Sequence, residues 1–217
     1  MLRLPGAARA LALLAALAAA PSVSAQVVIS QVYGGGGNNG AVFSHDFVEL
    51  FNAGSAPADL SGLTLRYASN TGNFTNSGDI NYFELPADSI APGGYYLVQM
   101  AVGNNTSLPA LPTPDAIGTA TMSGTNGKIA LVASTGEFVC GGTNASGVAC
   151  SPEQLNLIVD LVGFGTATLF EGSAPTAALS NSTGALRKEN GCQDTDDNSA
   201  DFNVDTPAPR NSDSPAS

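Results

Sequence analysis

Apolar residues in this chain fall into short runs, and turn-forming residues separate the runs. Val27–Tyr33 (VVISQVY) is rich in β-branched residues and ends against Gly34, Gly35, Gly36 and Gly37. Residues 46–52 (DFVELFN) follow, then a turn through Gly54, Ser55 and Pro57. Residues 63–68 (LTLRYA) alternate with a period of two, and residues 80–85 (INYFEL) lead into Pro86. Residues 95–100 (YYLVQM) follow Pro92-Gly93-Gly94, and residues 128–133 (KIALVA) follow Asn126-Gly127. Ile158–Phe164 (IVDLVGF) is the last strong run, and residues 185–189 (ALRKE) form a weaker one. Seven or eight short strands with turn signals between them predict an all-β sandwich or barrel. No window keeps a 3.6-residue period, so long helices are not expected. One helical turn is predicted over residues 152–157, with Ser151 as N-cap and Pro152 at the first helical position. Residues 101–125, with Pro109, Pro112 and Pro114, read as a long loop packed over the sandwich.

Composition supports a packed chain. It has 217 residues, enough for one domain or two at most. Hydrophobic residues make up 43% and charged residues 12%, which argues against disorder. The 25 Gly, 13 Pro and absence of Trp fit many turns. The first 25 residues have the three parts of a secretory signal. Arg3 and Arg9 are its positive end, residues 10–20 (ALALLAALAAA) its apolar stretch, and Val23-Ser24-Ala25 its cleavage site. The apolar run is too short to span a bilayer. The expected mature chain starts at Gln26 and carries five basic against eighteen acidic residues, a net charge of −13. That charge argues against nucleic acid or an anionic membrane surface as the direct partner, since phosphate binding needs Lys and Arg.

Export makes the cysteines interpretable, because oxidising compartments permit disulfides. Cys140 and Cys150 flank the loop GGTNASGVA, and a bridge there would contribute about 3 kcal/mol in the chain-entropy model. Cys192 is then odd: a free thiol, an interchain partner, or an alternative partner for one of the other two. Three cysteines so spread, with His45 as the lone histidine, give no zinc spacing.

The sharpest local signal is acidic. Asp194, Asp196 and Asn198 match the first three positions of a Ca²⁺-binding loop; Asp201 lies within it and Asp205 falls at the twelfth position. Ser199 stands where such a loop has Gly, and Asp205 replaces the bidentate Glu. A site of this kind would be an extracellular structural one, with affinity on the order of 10⁻⁴ to 10⁻³ M. Capping of turns by Asp and Asn side chains is the simpler account. Ser44-His45-Asp46 invites a hydrolase reading, but triad members are rarely sequence neighbours, and no G-x-S-x-G element occurs. In residues 46–52 the alternation puts Phe47, Glu49 and Phe51 on one face, Val48 and Leu50 on the other. Glu49 then reads as a partly buried, hydrogen-bonded carboxylate rather than a catalytic acid. Gly34 to Gly40 (GGGGNNG) lacks the Lys of a phosphate loop and reads as a flexible inter-strand loop. Tyr33, Tyr67, Tyr82, Tyr95 and Tyr96 are candidates for a binding face, with packing the simpler account.

Taken in order, several of these segments resemble the lamin tail domain in the form carried by secreted bacterial proteins. They are VVISQVYGGGGNNG (27–40), DFVELFNAGSAPADLSGLTLRY (46–67), APGGYYLVQ (91–99) and LPTPDAIG (111–118). NGKIALV (126–132), DLVGFGTATLFEG (160–172), GCQDTDDNSADF (191–202) and PAPRNS (207–212) continue the series. The resemblance covers nearly the whole mature chain and is most specific in FVELFN…DLSGLTL. It implies an immunoglobulin-like β-sandwich of about seven to nine strands over residues 26–206, followed by a flexible Pro/Ser-rich tail over residues 207–217. It also implies a Cys just before FEG, where this chain has Thr168 and Leu169, which strengthens the free-thiol reading of Cys192. The role it implies is an exported, non-catalytic interaction module at the cell surface or outside the cell, with a protein or glycan ligand. The alternative is an accessory or remnant of a secreted endonuclease/exonuclease/phosphatase system. No catalytic residues, required cofactor or membrane span are expected; Ca²⁺ is the one candidate ion.

Overall fold

The computed structural model describes residues 27–217 apart from Ser77; the signal-sequence reading lies outside the described residues. Among the described residues there are twelve strands: β1 (Val27–Tyr33), β2 (His45–Asn52), β3 (Ala58–Asp59), β4 (Thr64–Ala68), β5 (Tyr82–Glu84) and β6 (Ser89–Ile90). They continue with β7 (Tyr95–Val102), β8 (Ala116–Ile117), β9 (Gly127–Val132), β10 (Ile158–Phe164), β11 (Gly184–Arg187) and β12 (Phe202–Asp205). Two short helices, α1 (Pro152–Leu155) and α2 (Asn198–Asp201), accompany them. A six-stranded sheet runs β12-β11-β1-β2-β7-β8 and a four-stranded sheet runs β10-β9-β4-β5; β3 and β6 form a small separate pair. All pairings are antiparallel except β7 with β8. The chain forms the β-sandwich that the strand pattern allows, of the immunoglobulin-like kind that the resemblance implies.

Both sheets bury both faces. Val27, Ile29, Val48, Leu50, Tyr96 and Val98 from the larger sheet meet Leu65, Tyr67, Ile129, Leu131 and Val162 from the smaller one in the central core. The alternation in β1 shifts phase at Ser30, where the register with β2 skips from Ile29↔Leu50 to Gln31↔Glu49. That bulge adds one residue, so Val32 returns to the core while Gln31 and Tyr33 turn to the outer face. Phe47, Glu49 and Phe51 share this outer face as their alternation requires, with Leu97 and Tyr95 beside them. On the smaller sheet the outer face carries Ala68, Ala130 and Val132, covered by Phe74, Phe138 and the bonded Cys140–Cys150 pair.

Three local expectations change. First, residues 207–217 do not hang free: Ala208, Arg210, Ser212 and Ser217 are each hydrogen-bonded to the larger sheet or its loops. The segment crosses the strands as a strap, because the apolar outer face beneath it needs cover. Second, the glycine run is no loose loop. A Cβ on Gly36 would sit 2.1 Å from the His45 carbonyl carbon, so glycine is needed for the backbone to pass there. Third, β12 extends the sheet where an acidic loop is read from the sequence. By contrast, the predicted turn after Ser151 forms, with a reciprocal capping box between Ser151 and Gln154.

Candidate functional site

Glu49 lies at the centre of the outer face of the larger sheet and is fully buried. Its carboxylate accepts from Ser30 Oγ at 2.6 Å and Gln31 Nε2 at 2.9 Å, both presented by the β1 bulge. The strap supplies the remaining donors. Arg210 gives its main-chain N–H at 2.6 Å and guanidinium Nη2 at 2.8 Å. The guanidinium lies 3.7 Å above the Tyr95 ring and donates to the Tyr95 hydroxyl at 2.7 Å. Gln31 also grips the strap backbone at both atoms, accepting from Ala208 N–H at 3.0 Å and donating to its carbonyl at 2.7 Å. Further along, Asp115 accepts from the Ser212 N–H and hydroxyl, and Asn211 donates to the Thr113 carbonyl at 2.9 Å.

A second arginine joins the two sheets. Arg187 on β11 donates from Nη2 to both carboxylate oxygens of Asp160 on β10, at 2.8 and 2.9 Å, and from Nη1 to Asp194 at 2.9 Å. Its side chain is wholly buried, over the Phe202 ring at 4.6 Å. Burial alone would lower the guanidinium, but the Asp160 and Asp194 carboxylates raise it above its ordinary value.

Between this node and the strap runs an open groove of about 950 Å³. Leu186, Leu111 and Phe43 give it apolar patches; Lys188, Asn203 and Asp205 give it polar ones. β12 borders it and is an edge of its sheet. The neighbouring edge, β10, is stoppered. The Asn198 side chain accepts from Gly163 N–H and donates to the Leu161 carbonyl, both at 2.8 Å, as a partner strand would. Glu171 accepts from Leu161 N–H at 3.1 Å, and Thr176 pairs with Gly163 and Gly165. Burial, followed by the nearby Asp160 charge, pushes the Glu171 carboxyl up to about 8.

The acidic loop does not gather its oxygens into a cage. Asp194 faces Arg187, so the cation it meets is a guanidinium. Asp196 sits in a left-handed turn conformation, with φ 53°. Asn198 is buried against β10 as described, and Asp201 accepts from the N–H and hydroxyl of Thr195. Asp205 stands on β12 and accepts from the Thr206 N–H. Asp197, outside the expected ligand set, caps α2 through Ser199 and Ala200. Among the described residues no group of three or more His, Cys, Asp or Glu side chains is placed to hold a metal ion.

The structure sets Ser44 Oγ 2.9 Å from His45 Nδ1, but Asp46 turns away from the pair. Its carboxylate holds Gly36 N–H and Met122 N–H, at 2.8 and 3.0 Å, and burial pushes it up to about 7. Ser44 is itself buried, so the three neighbours form structural contacts, not a triad. Tyr33, Tyr67, Tyr95 and Tyr96 are buried; Tyr82 alone is part-exposed, beside Arg66. Cys192 is free and exposed. What sequence reasoning missed is the strap: Arg210 pairs with a residue 161 positions away, and no local pattern marks such a partner.

No curated protein matches the chain. The family model of the Lamin Tail Domain matches residues 20–148, more than half of the chain. The match ends before β10, so β11, β12 and the strap lie beyond it, while Gln31, Phe43 and Leu111 of the groove lie within it. The domain is an immunoglobulin-like fold of the kind that serves as an interaction module and is typically non-catalytic. Among the described residues no helix is long and apolar enough to cross a membrane, and the Cys140–Cys150 disulfide is compatible with an extracellular location. With the sandwich formed and its opening strands within the match, the chain belongs to the lamin tail domain family.

Proposed function

We propose that this protein is exported and works at the cell surface or outside the cell as a non-catalytic interaction module. Its ligand is a protein segment bound in the groove between the strap and β12. The observation that carries this is the contrast between the edges: β10 is stoppered by Asn198, whereas β12 borders the groove. An edge strand beside a part-apolar groove suits an extended segment added by main-chain pairing, with side chains received in the groove. A protein ligand fits better than a glycan, because four of the five tyrosines are buried and so are not available to stack on a sugar ring. The net negative charge disfavours direct contact with nucleic acid. Export is supported by the N-terminal pattern and the disulfide.

The test is capture of partners from the native extracellular fraction by the purified chain, beside an Asn203→Trp variant that fills the groove from an exposed position. A protein held by the wild type and lost with the variant supports the reading. Equal capture by both would place the ligand elsewhere. A nuclease or phosphatase as the captured protein would make the chain an accessory subunit of that enzyme. N-terminal sequencing of protein recovered outside the cells should begin at Gln26.

A further inference from the structure

The strap is held as a ligand is held. Gln31 reads the main chain of Ala208 at two points, Glu49 and Tyr95 receive the Arg210 side chain, and Asp115 receives Ser212. Each contact is specific in a different way. A primary amide matching both backbone atoms of one residue selects extended chain. A fully buried carboxylate with an aromatic face beside it selects a guanidinium, whose planar fork and weak hydration suit both. Lysine fits neither feature as well, having a compact, strongly hydrated ammonium.

Glu49 makes this pocket more than a covered surface. The carboxylate is fully buried, and Ser30 and Gln31 leave part of its acceptor capacity to the strap. A buried carboxylate is costly to leave unpaired, so the seat vacated by Arg210 favours another cation. Arg210 is itself about a quarter exposed, with its side chain at 26%, so its seat can be reached from solvent. It also borders the groove proposed above as the ligand site, so an incoming chain in that groove meets it directly.

We infer that the Glu49–Tyr95–Gln31 pocket is a receptor for an arginine carried on an extended, proline-flanked segment of a partner protein, and that Arg210 of the strap occupies it in cis until such a segment displaces it. This deepens the groove reading and rests on it for the partner's biological role, while the pocket itself is tested without any native partner. The tether keeps the strap at high effective concentration, on the order of millimolar for short linkers, so the free protein is self-occupied. The apparent affinity for an outside segment is then reduced by the fraction of open pockets.

The experiment titrates a fluorescent peptide with the sequence of residues 207–217 into three full-length proteins: wild type, Arg210→Glu, and Glu49→Gln/Arg210→Glu. Arg210→Glu sets a carboxylate against Glu49 and lifts the strap. The peptide should bind Arg210→Glu at least tenfold more tightly than wild type. Binding should fall at least tenfold when the peptide arginine is replaced by alanine or when Glu49 becomes Gln. Should Arg210→Glu fail to fold by circular dichroism, Arg210→Ala is titrated in its place with the same expectation. Equal binding by the arginine and alanine peptides, or none to a folded strap variant, would overturn the proposal. So would a concentration-dependent dimer of the wild type that Arg210→Glu abolishes, since it would assign the pocket to the strap of a second copy. Failure of native capture with success of the peptide titration would remove the groove reading and leave the pocket standing.

Discussion

The two sheets solve one problem in different ways. Each has an apolar outer face, and each covers it with chain that is not part of the sheet. Over the smaller sheet the cover is residues 133–157, closed on itself by the Cys140–Cys150 disulfide. It is pinned from below by Arg66, fully buried, whose guanidinium donates to the carbonyls of Thr75, Ser134 and Gly136 at 2.6 to 3.1 Å. Over the larger sheet the cover is the strap, held by an ion pair and hydrogen bonds with no covalent tie. The difference separates a permanent lid from a removable one. Arg66 is sandwiched between Tyr82 and Phe138, at 4.6 and 5.1 Å, and cannot leave without emptying a core. Arg210 rests on one ring and keeps one side toward solvent.

The largest effect that would test this contrast is loss of the pin. Arg66→Met removes the donor of five hydrogen bonds, to Thr64 Oγ1 and the carbonyls of Thr75, Ser134, Gly136 and Phe138, and should destabilise the fold by about 3–5 kcal/mol in urea melts. A loss no larger than that of Arg210→Ala would erase the distinction. Opening the covalent lid comes next. Cys140→Ser/Cys150→Ser should cost about 3 kcal/mol, the value for a loop of this length. Smaller again is Arg210→Ala, at about 1–3 kcal/mol, because water reaches the exposed side of the pair. Its signature is regional: amide exchange should speed up over residues 207–217 while β4 and β9 keep their protection.

An effect seen only through its pH dependence lies at the seam between the sheets, where Glu171 helps stopper β10. Its folded carboxyl is pushed up to about 8 from an ordinary 4.5, so the folded state binds the proton more tightly. Its contribution is therefore fully present below about pH 4.5 and is lost as pH rises through about 8. Glu171→Gln should flatten the fall in melting temperature between pH 5 and 8. A fall as steep as the wild type's would assign that slope to other groups, Asp46 first among them.

Much of this was legible in the sequence, and what was not shares a cause. β1 and β10 are rich in β-branched residues, with polar interruptions only at Ser30-Gln31 and Asp160, and their limits match the pattern. The seat of Glu49 between Phe47 and Phe51 follows from a period of two. β12 was not legible because Phe202-Asn203-Val204-Asp205 has one polar-flanked β-branched residue and follows an acidic stretch that reads as a loop. β3, β6 and β8 are two residues long and exist only through their partners. The candidate groove needed three distant pieces to meet: Gln31, Asn203 and Arg210. The partner of the acidic loop was illegible for a related reason, since the cation facing Asp194 comes from Arg187, whose other partner Asp160 is 27 positions away on the opposite sheet.

The claim that function sits on the strap side of the larger sheet is tested most directly by amide hydrogen exchange on the chain with and without its captured partner. The account expects new protection over residues 203–205, with altered exchange over residues 207–217 as the strap yields or is clamped. Protection confined to residues 133–157, or to β8 and the exposed Ile117, would contradict it.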